Sequence, residues 1–287
     1  MKRHLLTIAL LLSTAAGAHE YWLLPDRFAA ATAEPIGIGH RVGTGWPGEA
    51  LPRNPARIVR FALVDANGEQ PIDGDPGADP AGVVALRAPG IAVAVYRSRP
   101  SPLSLDAAPF ESYLRDEGLE RIIERRAARG ESALPGLEMF SRCAKTLLVA
   151  DGRGAGDPAR WRRPVGLTLE LVPETDPRGL AGGGSFAVRL LHRGRPLEGA
   201  LVKALPKDGN ERRLSARSDR QGRVRFALPE GGIWLINAVH MIDAPAGSGA
   251  RWESLWSSLT FEAGAGASPS GGTPLPKRSA AARPKAG

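Results

Sequence analysis

Short apolar stretches, each closed by a turn of glycine, proline or asparagine, recur through most of this 287-residue chain and constrain its fold more than any other feature. They are too short and too rich in β-branched residues for helices, and their spacing is that of strands joined by tight turns. Ile58-Val59-Arg60-Phe61-Ala62-Leu63-Val64 runs into Asp65-Ala66-Asn67-Gly68, where the Asn-Gly pair offers the positive φ angles of a hairpin. Residues 83–88 and 91–98 flank Pro89-Gly90, a turn dipeptide, so 36–99 reads as an antiparallel sheet. Beyond residue 163, strand-like segments at 165–172, 185–192, 200–205, 223–228 and 233–241 repeat at the interval of a β-sandwich. Arg193-Gly194-Arg195-Pro196 and Asp219-Arg220-Gln221-Gly222 supply turns between them.

One region breaks the pattern. Phe110, Tyr113 and Leu114, then Leu119, Ile122 and Ile123, recur at helical spacing among charged residues. Asp106 is placed to cap the first helix, and Gly118 to break or kink the segment. Phe140, Ala144 and Leu147 suit a helix while Thr146-Leu147-Leu148-Val149 suits a strand, so helix is expected to turn into strand there. The expected fold class is therefore mainly β: two antiparallel β-sandwich modules with a helical insertion and a disordered C-terminal tail. The turn sequences at 196–200, 218–222 and 228–231 resemble those of immunoglobulin-like or transthyretin-like modules. The boundaries fall at 1–18 for a leader and 19–160 for a first β domain with its insertion at about 106–145. A second sandwich is expected over 161–263 and a tail over 264–287, rich in glycine, alanine, proline and serine.

The leader has the order of an export signal. Met1-Lys2-Arg3-His4 is basic, residues 5–12 are apolar, and Ala16-Gly17-Ala18 has the small-residue pattern of a cleavage site. Its apolar run falls well short of the roughly 20 residues that span a bilayer. The mature chain is expected to begin at His19, in the periplasm or outside the cell, without stable membrane insertion.

The net charge of +8 does not indicate nucleic acid as a partner. Lys2 and Arg3 belong to the leader, and Lys277, Arg278, Arg283 and Lys285 follow the last acid, Glu262, so the body is nearly balanced. Cys143 is the single cysteine, which leaves stability to the core. A reactive or metal-binding thiol and a small buried apolar residue are both open to it, the second being the commoner case.

Enzyme motifs are missing: there is no Gly-x-Ser-x-Gly, His-Glu-x-x-His, phosphate-binding glycine loop or EF-hand loop. What remains is histidine. Cleavage before His19 would place an α-amine and an imidazole on one residue, two nitrogen donors that transition metals favour. Both lose their protons near neutral pH when a metal competes. His40, in Gly37-Ile38-Gly39-His40-Arg41, and His240, on the face shared by Trp234, Ile236 and Ala238, are the candidates to complete a site. For each taken alone, a backbone-bonded, half-buried histidine is the competing reading. His192, followed by Arg193-Gly194, reads as surface. Met139, Met241 and Cys143 are soft ligands that would matter for Cu(I).

These residues have a familiar arrangement. Ala18-His19-Glu20-Tyr21-Trp22-Leu23, Phe110-Glu111-Ser112-Tyr113-Leu114 and Arg142-Cys143-Ala144-Lys145-Thr146-Leu147 resemble the DUF4198 family of exported bacterial proteins. So do Gly232-Ile233-Trp234, Ala238-Val239-His240-Met241, Trp252-Glu253-Ser254 and Trp256-Ser257-Ser258-Leu259-Thr260-Phe261. The family is similar to periplasmic components of nickel and cobalt uptake. The resemblance implies a divalent transition metal (nickel, cobalt or copper) held through His19, with His40 and His240 as extensions, and a membrane transporter as a partner. The expected function is metal binding for uptake or delivery, without catalysis. Two alternatives stand beside it: a copper-dependent redox enzyme using a histidine brace, and a non-metal binding or scaffold protein in which His19 is incidental.

Overall fold

A computed structural model describes residues 19–150, 159–209 and 212–264. The leader and the tail expected from the sequence lie outside these residues. The chain runs through β1 (Glu20–Pro25), β2 (Ala29–Ala30), β3 (Pro35–Gly43), β4 (Glu49–Leu51), β5 (Ile58–Asp65), β6 (Gly68–Pro71), β7 (Gly82–Ala85), β8 (Gly90–Ser98) and β9 (Ser101–Leu105). Helices α1 (Ala107–Asp116) and α2 (Glu120–Ala128) follow. The second half holds β10 (Gly136–Ala150), β11 (Leu169–Pro173), β12 (Gly184–His192), β13 (Arg195–Pro196), β14 (Leu201–Pro206), β15 (Leu214–Arg217), β16 (Arg223–Leu228), β17 (Gly232–Asp243) and β18 (Trp252–Ala263).

The protein is mainly β, and its two sandwiches share one sheet. That ten-stranded sheet runs β15-β14-β17-β18-β10-β8-β5-β6, with β2 and β9 also paired to β10. Alternation along each strand sends side chains to opposite faces. Ala62, Val64, Val93, Val95, Leu147 and Val149 point one way, with Trp234, Ile236, Leu259 and Phe261, and meet the sheet of β11, β12, β13 and β16. Phe61, Leu63, Ala92, Ala94, Tyr96 and Leu148 point the other way and meet the sheet of β1, β3, β4 and β7. Each fully buried Leu or Phe contributes about 1.5–3 kcal/mol, which is how a chain with one cysteine holds together without a disulfide. Cys143 is buried, as its apolar reading expected, and burial pushes its thiol pKa up.

Several expectations are corrected. Residues 140–148 form no helix; β10 is strand from end to end, and the helical insertion stops at Ala128. The spacing of Phe140, Ala144 and Leu147 was coincidental, because a strand puts the first two on one face and Leu147 on the other. Pro89-Gly90 joins no hairpin: β7 pairs with β3, β8 pairs with β5 and β10, and the turn carries the chain between two sheets. The line at 160/161 separates no cores, since β10 and β18 pair in parallel and join the two halves in one sheet. The turn at Asn67 also differs in detail. Only Gly68 takes a positive φ (110°), while the Asn67 N–H donates to Asp65 Oδ1 at 2.9 Å.

Helices α1 and α2 lie on the sheet face of Val239, Met241, Trp252 and Trp256, covering them with Phe110, Tyr113, Leu114, Leu119 and Ile122. Gly118 separates the helices as expected. Its φ is +65°, and a Cβ there would fall 2.7 Å from that of Leu201.

One buried ion pair spans the larger sandwich. Lys145 Nζ on β10 meets Glu170 Oε1 on β11 at 2.9 Å, with both side chains almost wholly enclosed. Glu170 also accepts from the backbone N–H groups of Val165, Gly166 and Leu167 at 2.7–3.1 Å. Removing one partner strands a buried charge, so Lys145→Ala or Glu170→Ala should each cost about 3–5 kcal/mol. Urea unfolding measures this; losses below roughly 1 kcal/mol, the scale of an exposed pair, would contradict it.

Candidate functional site

The histidines named from the sequence occupy three separate environments. His40 lies on β3 opposite Leu23 and Leu51, and only 2% of it is exposed. Its ring sits among Tyr21, Phe61 and Tyr96 at centroid distances of 5.6, 5.1 and 4.8 Å. Arg142 stacks on the Tyr21 ring at 4.8 Å and Arg53 on Phe61 at 5.6 Å. Burial, reinforced by the charges of Arg53 and Arg142, lowers its pKa to about 3, and its Nε2 is buried without a partner. This imidazole is neutral and closed off by aromatic rings. Its strand partner Leu23 is four positions from His19, a distance of roughly 13 Å along an extended strand. The structure does not bring the two together.

His240 lies at the end of the expected face of β17, opposite Leu255. That face belongs to the larger sandwich, so His240 and His40 are on opposite sides of the ten-stranded sheet. Its neighbour is His192, at the end of β12, with ring centroids 4.8 Å apart and planes inclined by 59°. Burial, followed by the charge of His192, lowers the His240 pKa to about 4, and burial also lowers that of His192. The Nε2 of His192 is buried without a partner. On the same face, Glu253 stands opposite Ile242, and its Oε2 lies 3.9 Å from Arg193. His192 read as surface in the sequence because its partner comes from another sheet, some fifty residues on.

His19 is half-buried immediately before β1. The next residue, Glu20, has its side chain buried, within a cluster of buried polar groups. Lys203 Nζ is 4.0 Å from Glu20 Oε1 and 2.8 Å from Glu117 Oε1. Asn237 is the strand neighbour of both Lys203 and Ser258. Glu20 Oε2, both polar atoms of the Asn237 side chain and Ser258 Oγ are buried with no hydrogen-bond partner. Leaving such groups unpaired costs about 1–3 kcal/mol each, so the cluster carries unmet hydrogen-bonding capacity. Burial raises the Glu117 carboxyl, with Lys203 pulling it back down. Nearby, Glu138 accepts from Tyr113 Oη at 3.4 Å, and burial lifts its pKa to about 7. No three His, Cys, Asp or Glu side chains form a ready metal-binding group among the described residues.

Other readings resolve simply. The Asp219 turn is structural: its Oδ1 accepts from Gln221 and Arg223 N–H, both at 2.8 Å. Among the described residues no helix is long and apolar enough to cross a membrane. Glu20, Lys203 and Asn237 were not singled out in the sequence as site residues, and the helical face from Glu117 through Arg129 read as solvated, whereas Glu117 is buried and paired with Lys203. Charged residues 20, 117 and 203 look solvated when read along the chain, and the one available signal was a lone Asn inside the apolar run 233–239.

The His40 environment generates a prediction through proton linkage. The unfolded histidine titrates near 6.5 and the folded one near 3, so the unfolded chain gains a proton first and His40 costs stability as pH falls through that window. His40→Phe keeps an aromatic ring in the cage and removes the titration. Its stability relative to the parent should rise by about 1.4 kcal/mol per pH unit from 6.5 downward. Urea melts at pH 7.5, 6 and 5 measure it, and a difference independent of pH would refute the assignment.

Comparison with known proteins bears on the family. Residues 16–242 match the family model described as Domain of unknown function (DUF4198). Among curated proteins no relative matches the chain. Of solved structures, the D0-D1 domain of Intimin is similar at 12% identity and a TM-score of 0.20, covering 84% of this chain and 97% of that one. A tetra-tandem repeat in the extending region of a large adhesion protein is similar at 10% identity and a TM-score of 0.21, covering 86% and 50% respectively.

Proposed function

The chain belongs to the DUF4198 family, and on that premise we propose that it is an extracytoplasmic protein binding a divalent transition metal for uptake or delivery, through His19 made N-terminal by export. The observation that carries this reading is the position of His19. It stands half-buried at the start of β1, directly before a buried carboxylate whose Oε2 has no partner. An α-amine and an imidazole on one residue form a nitrogen chelate. Glu20, with Glu117 and the amide of Asn237 in the same buried cluster around Lys203, offers oxygen donors and negative charge. Lys203 already balances these acids, which suits a cargo bound and then released to a membrane transporter. Nickel, cobalt and copper all accept such donors, and affinity alone ranks copper highest.

The test is made on protein exported and processed by its own signal, with its N-terminus confirmed by mass. Calorimetric titration with Ni(II), Co(II) and Cu(II) should show binding that one alanine inserted before His19 weakens by roughly tenfold or more, a loss of about 1.4 kcal/mol. Equal affinity in the two forms would overturn the terminal-amine site.

A further inference from the structure

The His192–His240 pair lies apart from the Glu20–Lys203 cluster, on the opposite face of the ten-stranded sheet, and has no role in the reading above. Two imidazoles from different sheets face each other at 4.8 Å. Nothing in the local packing demands histidine there. The neighbouring positions of that face, Ala238, Ile236 and Leu255, are apolar. An apolar pair would pack the rim of the sandwich without the cost of desolvating two rings. Both rings are nevertheless only half-buried, so the rim can be reached from solvent.

We propose that His192 and His240 form a metal site of their own, a two-imidazole clip for a borderline transition-metal cation, with Cu(II) the preferred occupant and water completing its coordination. Three observations support it. The Nε2 of His192 is buried and has no hydrogen-bond partner, so a ring nitrogen of the pair has nothing in the protein to bind. Burial lowers the pKa of both rings and so favours the neutral form, which is the form that ligates metals. The Glu253 carboxylate stands on the same face, one strand away from His240 and close enough to act electrostatically on His192. It offers negative charge against the nearby Arg193 and Arg121.

Position gives the site a consequence. His192 ends β12 and His240 lies near the end of β17, so a metal held by both would clamp the small sheet of the larger sandwich to the shared sheet at one rim. Binding that occurs only in the folded state stabilises it in proportion to ligand concentration. Nitrogen donors without a thiolate suit copper, zinc and nickel, and the order of affinities places Cu(II) first.

The experiment uses mature protein carrying His19→Ala, so that the terminal-amine site and the clip fail or succeed independently. Cu(II) is added as the free ion and followed by calorimetry, by electron paramagnetic resonance and by thermal melting. The expected result is one bound equivalent, hyperfine coupling to two imidazole nitrogens and a melting temperature that rises with copper. His192→Phe and His240→Phe keep an aromatic ring in each position, and each should weaken binding by more than roughly tenfold, the least that losing even an outer partner of a metal site costs. His40→Phe should leave it unchanged. Circular dichroism verifies that each variant is folded, and His192→Gln and His240→Gln replace any phenylalanine variant that is not. Copper affinity unaltered by both substitutions, or a spectrum without two-nitrogen coupling, would overturn the clip.

Discussion

The most demanding constraint inside the larger sandwich is the buried Lys145–Glu170 pair, which links β10 of the shared sheet to β11 of the facing one. A lysine and a glutamate this deeply enclosed lose their hydration, and that cost is recovered only if the pair is close and every remaining lone pair is used. Glu170 meets the condition by accepting three consecutive backbone N–H groups, so one carboxylate fixes the loop entering β11 and the spacing between the two sheets. Burial lowers the lysine pKa, and the neighbouring Glu170 pulls it back up. β10 carries Lys145 at the centre of the molecule, paired in parallel to β18 and antiparallel to β8. The two halves of the chain are thus held in one sheet by the strand that also carries the buried charge.

That shared sheet determines where chemistry can occur. Its two faces are insulated from each other by a layer of backbone, and each supports a different set of polar groups. One face, under β1 and the helices, holds Glu20, Glu117, Lys203 and Asn237. The other face ends in His192, His240 and Glu253. His40 serves neither; it is a ring packed among three aromatic neighbours, and burial with the charges of Arg53 and Arg142 suppresses its ionisation. Sandwiches that share a central sheet separate such sites without needing a second domain.

The legible part of the fold followed from short-range rules. Gly68 closes the β5–β6 hairpin because a left-handed residue is required there, and Arg193 with Gly194 turns β12 into β13 with positive φ at both. The helical pair showed in the spacing of Phe110, Tyr113, Leu114 and Ile122, all of which are buried. The illegible part depended on partners far away. The strand β18, at the centre of the sheet, alternates serine with aromatic and aliphatic residues, and its small polar side chains hid it from a reading based on apolar runs. His19 draws attention through the sequence in front of it, which has the order of an export signal, whereas His192 acquires meaning only from His240.

The sequence alone determined that this chain is built of strands, where a helical interruption falls, that no intramolecular disulfide assists it and that a histidine follows the small residues Ala16-Gly17-Ala18. These are local properties, set by side-chain period, turn chemistry and the order of a few residues. Tertiary structure decided that the halves form one sheet, that Pro89-Gly90 crosses between layers, and that His40 is sealed while His192 meets His240. Strand pairing and face-to-face packing join residues separated by tens to hundreds of positions, and their energy depends on what lies opposite, which a linear pattern does not contain.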